Sequence, residues 1–287
     1  GRTGRLNDAA RDNRARCTGC PEEAIERYDA WAFGSGGEVG AAAWSDLTIA
    51  AHFPYTAEAA HILYPQSDGQ PIDGVIAMDP YVVQALMQYT GPVTLDGVGV
   101  TVDPDGAARF ILRDQYELID DGDSTERIAA LDSLGQQVIR AALTSALPEP
   151  GVIAGDLGPL VADQRLLVWT ADPDERAFLE RVGITGALPE LTGDDGGFAV
   201  TVSNGGNSKI DIYLDRQVEV TVEDRDDGTR ALVAEVTLTN NAPADGLPPY
   251  VIGNNFGFPS GTSWLWINFF GPDGLVSATR DGEPVEL

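Results

Sequence analysis

Residues 72–95 read IDGVIAMDPYVVQALMQYTGPVTL, and this stretch indicates the fold class of the first part of the chain. The apolar run that ends at Asp79 predicts a buried strand. Pro80 favours the first turn of a helix, and Gly91-Pro92 stops that helix after YVVQALMQY. The Asp-Gly pair that follows predicts a hairpin turn. A strand, a helix and a hairpin in succession are typical of a mixed α/β domain.

Two further helices frame this stretch. One is predicted from Thr56, an acceptable N-cap, after an extended segment that ends at Pro54. The other, TERIAALDSLGQQVIRAALTSAL, carries apolar residues at spacings of three and four from Ile128 to Leu143. That spacing places them on one face of a long amphipathic helix.

The pattern changes after PDERAFLERVG (residues 173–183), which is predicted as a short helix. The segments GFAVTVSN, KIDIYLDRQVEVTVE, RALVAEVTLTN and TSWLWINFFG alternate apolar and polar residues and are separated by turns. Strands that follow one another without helices are typical of an antiparallel sandwich. We therefore predict an α/β (α+β) domain over residues 1–215 and an antiparallel, immunoglobulin-like β-sandwich over residues 216–287. Because RDGEPVEL stops just after a predicted hairpin, we expect the sandwich to be truncated at its C-terminus.

The charge of the chain excludes several classes of partner. The net charge is −27, the pI is near 4.1, and Lys209 is the only lysine. Such an acidic protein repels phosphates, which argues against nucleic acid and anionic membrane surfaces as partners. No apolar run reaches the roughly 18 residues of a membrane span. The preference for arginine, alanine, glycine and aspartate suggests a GC-rich genome.

The two cysteines, Cys17 and Cys20, lie in CTGCP and allow three interpretations. A zinc site needs further ligands, and only two histidines are available. A redox CxxC motif usually follows a strand, and no strand is predicted here. A local structural disulfide, formed in an oxidising compartment, is the interpretation we favour.

Few residues stand out as candidates for chemistry. The chain contains no GxSxG, GxxxxGK or HExxH motif. His52, in the extended segment AAHFP, is a candidate for ligand contact. Arg127 lies in the first turn of the long helix, where backbone N–H groups favour an anion, so it is a candidate phosphate ligand. The alternative is a salt bridge to a neighbouring carboxylate; the available partners are Asp120, Asp121, Asp123 and Glu126.

Several ordered motifs resemble one family of bacterial envelope proteins, the domain of unknown function 4012. The first runs from WSDLTIAAHFPYTAEAAHILYP to DGVIAMDPYVVQALMQYTGPV, and LTNNAPADGLPPYVIG lies further on. Between them, NGGNSKIDIYLDR matches the family's Asn–Asn–Lys–Asp–Tyr stretch; its members here are Asn204, Asn207, Lys209, Asp211 and Tyr213. The resemblance covers roughly residues 22–287. It makes Lys209, Asn204 and Asn207 candidate ligand-binding residues. The alternative for Lys209 is a structural role, in which its ammonium pairs with carboxylates of neighbouring strands.

The family is distantly similar to the LytR–CpsA–Psr phosphotransferases, which attach lipid-pyrophosphate-linked glycopolymers to the bacterial cell wall. This similarity implies a LytR–CpsA–Psr-like core, Mg²⁺ as a cofactor, and Arg127 as the phosphate-binding arginine. Arg113 and Asp79 are weaker candidates for the same catalytic site, and the metal ligands remain unknown. The chain departs from the pattern at Ala130 and Leu131, where a second Arg-Gln pair is expected. The first half of the family domain is also missing, which implies an incomplete N-terminus.

These features predict an extracytoplasmic cell-surface protein of a GC-rich Gram-positive (actinobacterial) organism, membrane-anchored through a segment outside this chain. As an enzyme it would be a phosphotransferase acting on polyprenyl-pyrophosphate-linked glycan. The alternative is a non-catalytic surface or scaffold protein that binds glycan or protein through the β-sandwich, where Trp264, Trp266 and Phe269 could form an aromatic strip. The alternative for these aromatic residues is the core of the sandwich, with one face of the strand exposed to solvent. The expected partners are cell-wall glycan, lipid-linked glycan, another envelope protein or the missing N-terminal segment.

Overall fold

The computed structural model describes residues 17, 19–28, 47–67, 70–119, 125–189, 197–206, 208–271 and 275–286. The chain divides into two compact units that are each discontinuous in sequence. Unit 1 comprises Gly1–Ile111 and Ile128–Leu188, and unit 2 comprises Leu112–Arg127 and Pro189–Leu287. Both units mix helices with short antiparallel sheets. The domain boundary proposed from the sequence, at residue 215, stays a prediction.

Unit 1 carries most of the described helices. In chain order its elements are α1 (Glu22–Tyr28), a 3-10 helix (Leu47–Ile49), α2 (Phe53–Leu63), a 3-10 helix (Pro65–Ser67), β1 (Gly74–Met78), α3 (Pro80–Thr90), β2 (Val93–Leu95), β3 (Val100–Val102), a 3-10 helix (Pro104–Gly106), α4 (Ala107–Arg109), most of α6, α7 (Pro150–Ala162), β4 (Leu166–Thr170) and α8 (Pro173–Val182). A π-helical turn (Phe110–Asp114) follows α4 and continues into α5 (Gln115–Leu118). Helix α6 (Thr125–Thr144) begins in unit 2 and continues in unit 1.

The strand, helix and hairpin predicted around Asp79 are confirmed. Strand β1 pairs antiparallel with β4, with Ile76 opposite Val168. The Asp79 side chain caps α3, and β2 pairs with β3 across the predicted turn. The expectation that β1 is buried is wrong for Ile76, which is 62% exposed. Only the face that carries Val75 and Ala77 packs on a core.

Helix α2 begins earlier than predicted. It starts at Phe53 with His52 as its N-cap, because Pro54 fits the first turn of a helix. Thr56 therefore lies inside the helix, where its hydroxyl donates to the carbonyl of Leu47 at 2.8 Å. Phe53 and Ala57 pack with Trp169 of β4 in one small core.

Unit 2 contains the longer strands. Its elements, after α5 and the first turn of α6, are β5 (Ala199–Asn204), a 3-10 helix (Ile210–Tyr213), β6 (Leu214–Asp224), β7 (Arg230–Asn240), α9 (Pro249–Ile252), β8 (Leu265–Phe270), β9 (Ala278–Arg280) and β10 (Glu283–Val285). The antiparallel pairs are β5 with β8, β6 with β7, and β9 with β10. Each sheet within the described residues has two strands, so the packing of sheets into a sandwich stays a prediction.

Candidate functional site

A polar pocket of about 250 Å³ opens in unit 2 beyond the end of β5. We call it the Lys209 pocket; its lining residues are Asn204, Ser208, Lys209, Asp211 and Tyr250. Asn204 is the last residue of β5, and Asp211 lies in the 3-10 helix that precedes β6. The Lys209 N–H donates to the carbonyl of Tyr250 at 3.1 Å, which ties the loop to α9. The pocket thus lies where a strand end, a loop and a short helix meet.

The Asn204 side chain holds the loop of the pocket in shape. Its amide nitrogen donates to the Ser208 carbonyl at 2.9 Å and to Asp211 Oδ2 at 2.8 Å. Its amide oxygen accepts the Gly206 N–H at 2.6 Å. Because both ends of this amide are engaged within the protein, Asn204 positions the pocket more than it offers groups to a ligand. The sequence motif that contains Asn204 thus encodes a local turn as well as a pocket wall.

Lys209 carries the exposed polar group of the pocket, and Ser208 carries a buried hydroxyl. Ser208 is only 8% exposed, and its hydroxyl has no hydrogen-bond partner within the described part of the chain. Lys209 is exposed, and among the described residues no carboxylate forms an ion pair with its ammonium. A buried hydroxyl without a partner is unusual in folded proteins and is often satisfied by water or a ligand. The other candidate in this motif, Asn207, lies outside the described residues.

An aromatic cluster lies around Gly205, the residue that follows Asn204 of the Lys209 pocket. It consists of Phe256, Phe258, Trp264 and Trp266. The Phe256 and Trp264 rings meet edge to face with centroids 3.8 Å apart, and the two tryptophan rings are 5.7 Å apart. Phe256 and Trp266 remain 48% and 46% exposed.

Gly205, next to Asn204 in the chain, joins the cluster to the pocket. Its N–H donates to the carbonyl of Trp264 at 2.9 Å. A Cβ at Gly205 would lie 2.8 Å from the indole nitrogen of Trp266, so only glycine allows this approach. Phe269, which the sequence grouped with the tryptophans, lies near Phe198 instead, with centroids 6.5 Å apart.

Arg127 packs against aromatic rings. It is 7% exposed, and its guanidinium carbon lies 4.7 Å from the Tyr116 ring centroid and 5.1 Å from that of Tyr250. The two tyrosine rings are themselves stacked at 5.1 Å. Arg127 therefore lies one side chain away from the Lys209 pocket, since Tyr250 lines it. The acidic neighbours proposed as alternative partners, except Glu126, lie outside the described residues.

The other two catalytic candidates are engaged in local structure. Arg113 Nε donates to Glu117 Oε1 at 3.1 Å, and this hydrogen bond raises the pKa of Arg113. Asp79 Oδ1 accepts the N–H groups of Tyr81 and Val82 at 2.9 and 3.1 Å. Asp79 Oδ2 accepts from Arg165 at 2.5 Å.

The pairing of Asp79 with Arg165 also affects the arginine. Burial lowers the pKa of Arg165, but the hydrogen bond and charge of Asp79 outweigh this, and the net direction is upward. The Arg165 guanidinium lies 4.4 Å from the Tyr81 ring centroid. In unit 1, Asp79 therefore acts as a helix cap and ion-pair partner, whereas Arg113 and Arg127 belong to unit 2.

His52 accepts a hydrogen bond within unit 1. Its Nδ1 receives the Leu188 N–H at 3.0 Å, and burial lowers the pKa of His52, partly opposed by the charge of Glu23. His61 Nδ1 donates to the Ile72 carbonyl at 2.6 Å, since a carbonyl can only accept. Both histidines therefore serve local structure.

Cys17 and Cys20 lie at disulfide-bonding distance, with Cα atoms 5.4 Å apart. Both are buried beside Ala24 and Leu63. This pairing agrees with a structural disulfide. Within the described ranges, no group of three or more His, Cys, Asp or Glu side chains is arranged to hold a metal ion. Mg²⁺ therefore stays a prediction of the sequence resemblance.

The N-terminal part of the chain matches a known family. Residues 4–116 match the family model described as protein of unknown function (DUF4012). This region of the chain belongs to the DUF4012 family. No curated protein and no solved structure matches the chain.

The DUF4012 match includes the strand, helix and hairpin around Asp79 and ends before the Lys209 pocket. The resemblance of later segments to the family, and the similarity to LytR–CpsA–Psr enzymes, stay predictions. No helix in the described ranges is long and apolar enough to cross a membrane.

Sequence reasoning did not select Ser208 or Tyr250 as site residues. Tyr250 lies in the segment LPPYVIG, whose position relative to Lys209 only the fold defines.

Proposed function

We propose that this protein is an extracytoplasmic cell-envelope protein that binds glycan without catalysis, through the aromatic cluster and the Lys209 pocket of unit 2. The observation that carries the proposal is the exposed ring surface of Phe256 and Trp266, with the Trp266 indole packed on Gly205, the residue that follows Asn204 of the pocket. A membrane anchor outside this chain and a GC-rich Gram-positive source belong to the same proposal.

Aromatic rings beside fixed polar groups suit carbohydrates. A sugar ring has an apolar C–H face that packs on an aromatic side chain, and its hydroxyls need hydrogen-bond partners with defined positions. In unit 2 the rings come from the aromatic cluster, and Asp211 and Ser208 supply an acceptor and a hydroxyl. The Asn204 amide holds this loop in place, which lowers the ordering cost of binding.

The strands of unit 2 support the immunoglobulin-like sandwich that the proposal includes. In the β6–β7 pair, Val218, Val220 and Val222 share one face with their partners Val236, Ala234 and Leu232. The three β6 valines are 44–58% exposed. An apolar face on a two-stranded ribbon is the feature that a second sheet would cover. The LytR–CpsA–Psr-like core is proposed for unit 1 on the sequence resemblance alone.

Binding to a defined oligosaccharide tests the proposal. We expect chitotetraose or another soluble cell-wall-type oligosaccharide to release heat on titration into the intact chain. Trp266→Ala should weaken this binding at least about tenfold, because stacking surface is lost. Phe178→Ala is the matched control, since Phe178 is a 56% exposed aromatic residue of unit 1. Equal loss in both variants, or no binding of any oligosaccharide, would contradict the proposal.

The second candidate is a phosphotransferase that acts on polyprenyl-pyrophosphate-linked glycan. The observation that favours it is Arg127, whose guanidinium contacts the pocket residue Tyr250. A cation so placed could neutralise a pyrophosphate if the tyrosine moved aside. Transfer of glycan from a lipid-pyrophosphate donor, measured with Mg²⁺ for wild type and Arg127→Ala, tests this candidate. Unchanged turnover in the variant would rule out Arg127 as the phosphate ligand.

A further inference from the structure

We propose that the glycan bound by this protein carries an anionic substituent, a carboxylate or a phosphate, and that the Lys209 pocket holds it. This inference rests on the proposed function and deepens it. The Lys209 ammonium would provide the positive charge, the Ser208 hydroxyl would donate a hydrogen bond, and the adjacent aromatic cluster would bind the rest of the chain of sugars.

The charge distribution makes Lys209 distinctive. The protein has a net charge of −27, so a free anion is repelled at long range. Lys209 is the only lysine, and among the described residues its ammonium has no carboxylate in ion-pair contact. An exposed cation in so acidic a protein usually has acidic neighbours to pair with. A ligand anion is the partner that this position accommodates.

Ser208 is the second, independent observation. It is more than nine-tenths buried and lines the pocket, yet its hydroxyl has no hydrogen-bond partner among the described residues. A buried hydroxyl without a partner destabilises a protein. A carboxylate or phosphate oxygen in the pocket would accept a hydrogen bond from this hydroxyl once the Ser208 side chain turns toward it, and a charge-assisted bond of this kind is stronger than a neutral one.

Asp211 determines which anions fit. Its carboxylate also lines the pocket, and one oxygen accepts from Asn204. A bare anion meets repulsion from this carboxylate. A sugar that carries an acidic group presents both an anion for Lys209 and hydroxyl donors for Asp211. The pocket, at about 250 Å³, is smaller than the roughly 300–1,000 Å³ of sites for drug-sized ligands, which suits one sugar unit.

The aromatic cluster accounts for the neighbouring sugars. Gly205 brings the Trp266 indole to the backbone next to Asn204, a residue that lines the pocket. Trp264 and Phe256 continue that surface through their edge-to-face contact. A chain of sugars with an acidic unit in the pocket can therefore extend across these rings.

Calorimetry on the intact chain tests the inference with five probes. The carboxylate probe is a hyaluronan tetrasaccharide, the neutral probe is chitotetraose, and glucose 1-phosphate, glucose and inorganic phosphate test the phosphate source. We expect the hyaluronan tetrasaccharide to bind about tenfold tighter than chitotetraose at low salt, with the difference shrinking at high salt. Preference for glucose 1-phosphate over glucose would assign the phosphate source instead and would equally support the inference.

Three variants and one matched control separate the contributions. Lys209→Gln should remove the preference for the acidic probe, and Lys209→Arg should keep it. Arg216→Gln is the matched control, because Arg216 is an exposed cation of unit 2 that does not line the pocket. Ser208→Ala should weaken binding of the acidic probe without lowering the melting temperature, since the hydroxyl has no described partner to lose.

The outcomes distinguish this inference from the function on which it rests. Equal affinity for the acidic and neutral tetrasaccharides, together with equal affinity for glucose 1-phosphate and glucose, overturns the anionic site and leaves glycan binding standing. Failure of every oligosaccharide to bind overturns both. Inorganic phosphate binding as tightly as glucose 1-phosphate overturns the sugar-acid assignment, because the sugar ring would then contribute nothing.

Discussion

Replacing Asp79 by alanine should destabilise unit 1 by about 1.5–2 kcal/mol, because one carboxylate has two structural roles there. Its Oδ1 accepts the N–H groups of Tyr81 and Val82 at the start of α3. Loss of such an N-cap typically costs about 1 kcal/mol. Its Oδ2 accepts from Arg165 at 2.5 Å, with the two side chains 29% and 35% exposed. At that exposure solvent screens the pair, so about 0.5–1 kcal/mol is expected.

Two comparisons separate the roles of Asp79. Asp172 caps α8 in the same way, accepting the N–H groups of Asp174 and Glu175 at 2.8 and 3.1 Å, and no ion pair to it is found among the described residues. Asp172→Ala should therefore cost only the cap, about 1 kcal/mol. Asp79→Asn keeps a good N-cap and loses the charge, so it should cost about 0.5–1 kcal/mol.

Urea unfolding followed by circular dichroism gives the free energy of unfolding of each variant, and hydrogen exchange at Tyr81 and Val82 reports the cap directly. A double-mutant cycle with Arg165→Met should show a coupling of about 0.5–1 kcal/mol with Asp79. If Asp79→Ala is no more destabilising than Asp172→Ala, the ion pair contributes nothing. If Asp79→Ala is fully stable but loses glycan or phosphate binding, the structural assignment of Asp79 is wrong.

Three further predictions concern His52, Arg127 and Gly186. Burial lowers the pKa of His52 in the folded state, so the unfolded state binds more protons below pH 6.5. The contribution of His52 to the free energy of unfolding is therefore present above pH 6.5 and is lost as the pH drops toward the folded pKa. His52→Gln should reduce this loss. Arg127→Met and Arg127→Lys should each destabilise unit 2 by about 1–2 kcal/mol, because neither side chain carries the planar cationic surface that packs on Tyr116. Gly186→Ala should cost about 1–3 kcal/mol, since its φ is +59° and a Cβ would lie 2.8 Å from Leu167 Cδ1. Urea unfolding measures all three, at pH 5 and pH 8 for His52.

Matched variants make these predictions refutable. For His52, the comparison is His61→Gln; a wild-type pH profile unchanged by His52→Gln would show that the histidine does not link protons to folding. For Arg127, full stability of the lysine variant would mean that charge alone matters. For Gly186, the comparison is Gly228→Ala, where φ is +84° but the space is open, so only backbone strain should appear. Equal costs at both glycines would mean that Leu167 moves without penalty.

Local signals in the sequence predicted the elements around Asp79 well, because caps, prolines and turn residues act within a few residues of themselves. Asp79, Pro80 and the hairpin that follows α3 all lie where the pattern placed them. Burial was less predictable. Ile76 is exposed because no described element covers that face of β1, and Leu143, the last residue of the predicted apolar stripe of α6, is 81% exposed. Neither fact is encoded in the periodicity of the segment itself.

The candidate site shows the same limit. The motif around Asn204, Lys209 and Asp211 singled out part of the pocket, since its polar residues are close in sequence. The assignment of Arg127 to an anion site rested on its position in a helix turn and on the family resemblance, and it stays a prediction; the structure packs its guanidinium on two tyrosines. Those contacts depend on α5 and α9, which lie far apart in the chain.

The sequence by itself determined the acidic charge, the single lysine, the cysteine spacing, the family of residues 4–116 and the caps that begin α3 and α8. These properties depend on composition or on neighbours a few residues apart. Only the tertiary structure decided that Tyr250 joins Lys209 in one pocket and that Gly205 admits the Trp266 indole beside it. Such contacts bring together residues more than forty positions apart, and no local pattern specifies which distant segments will meet.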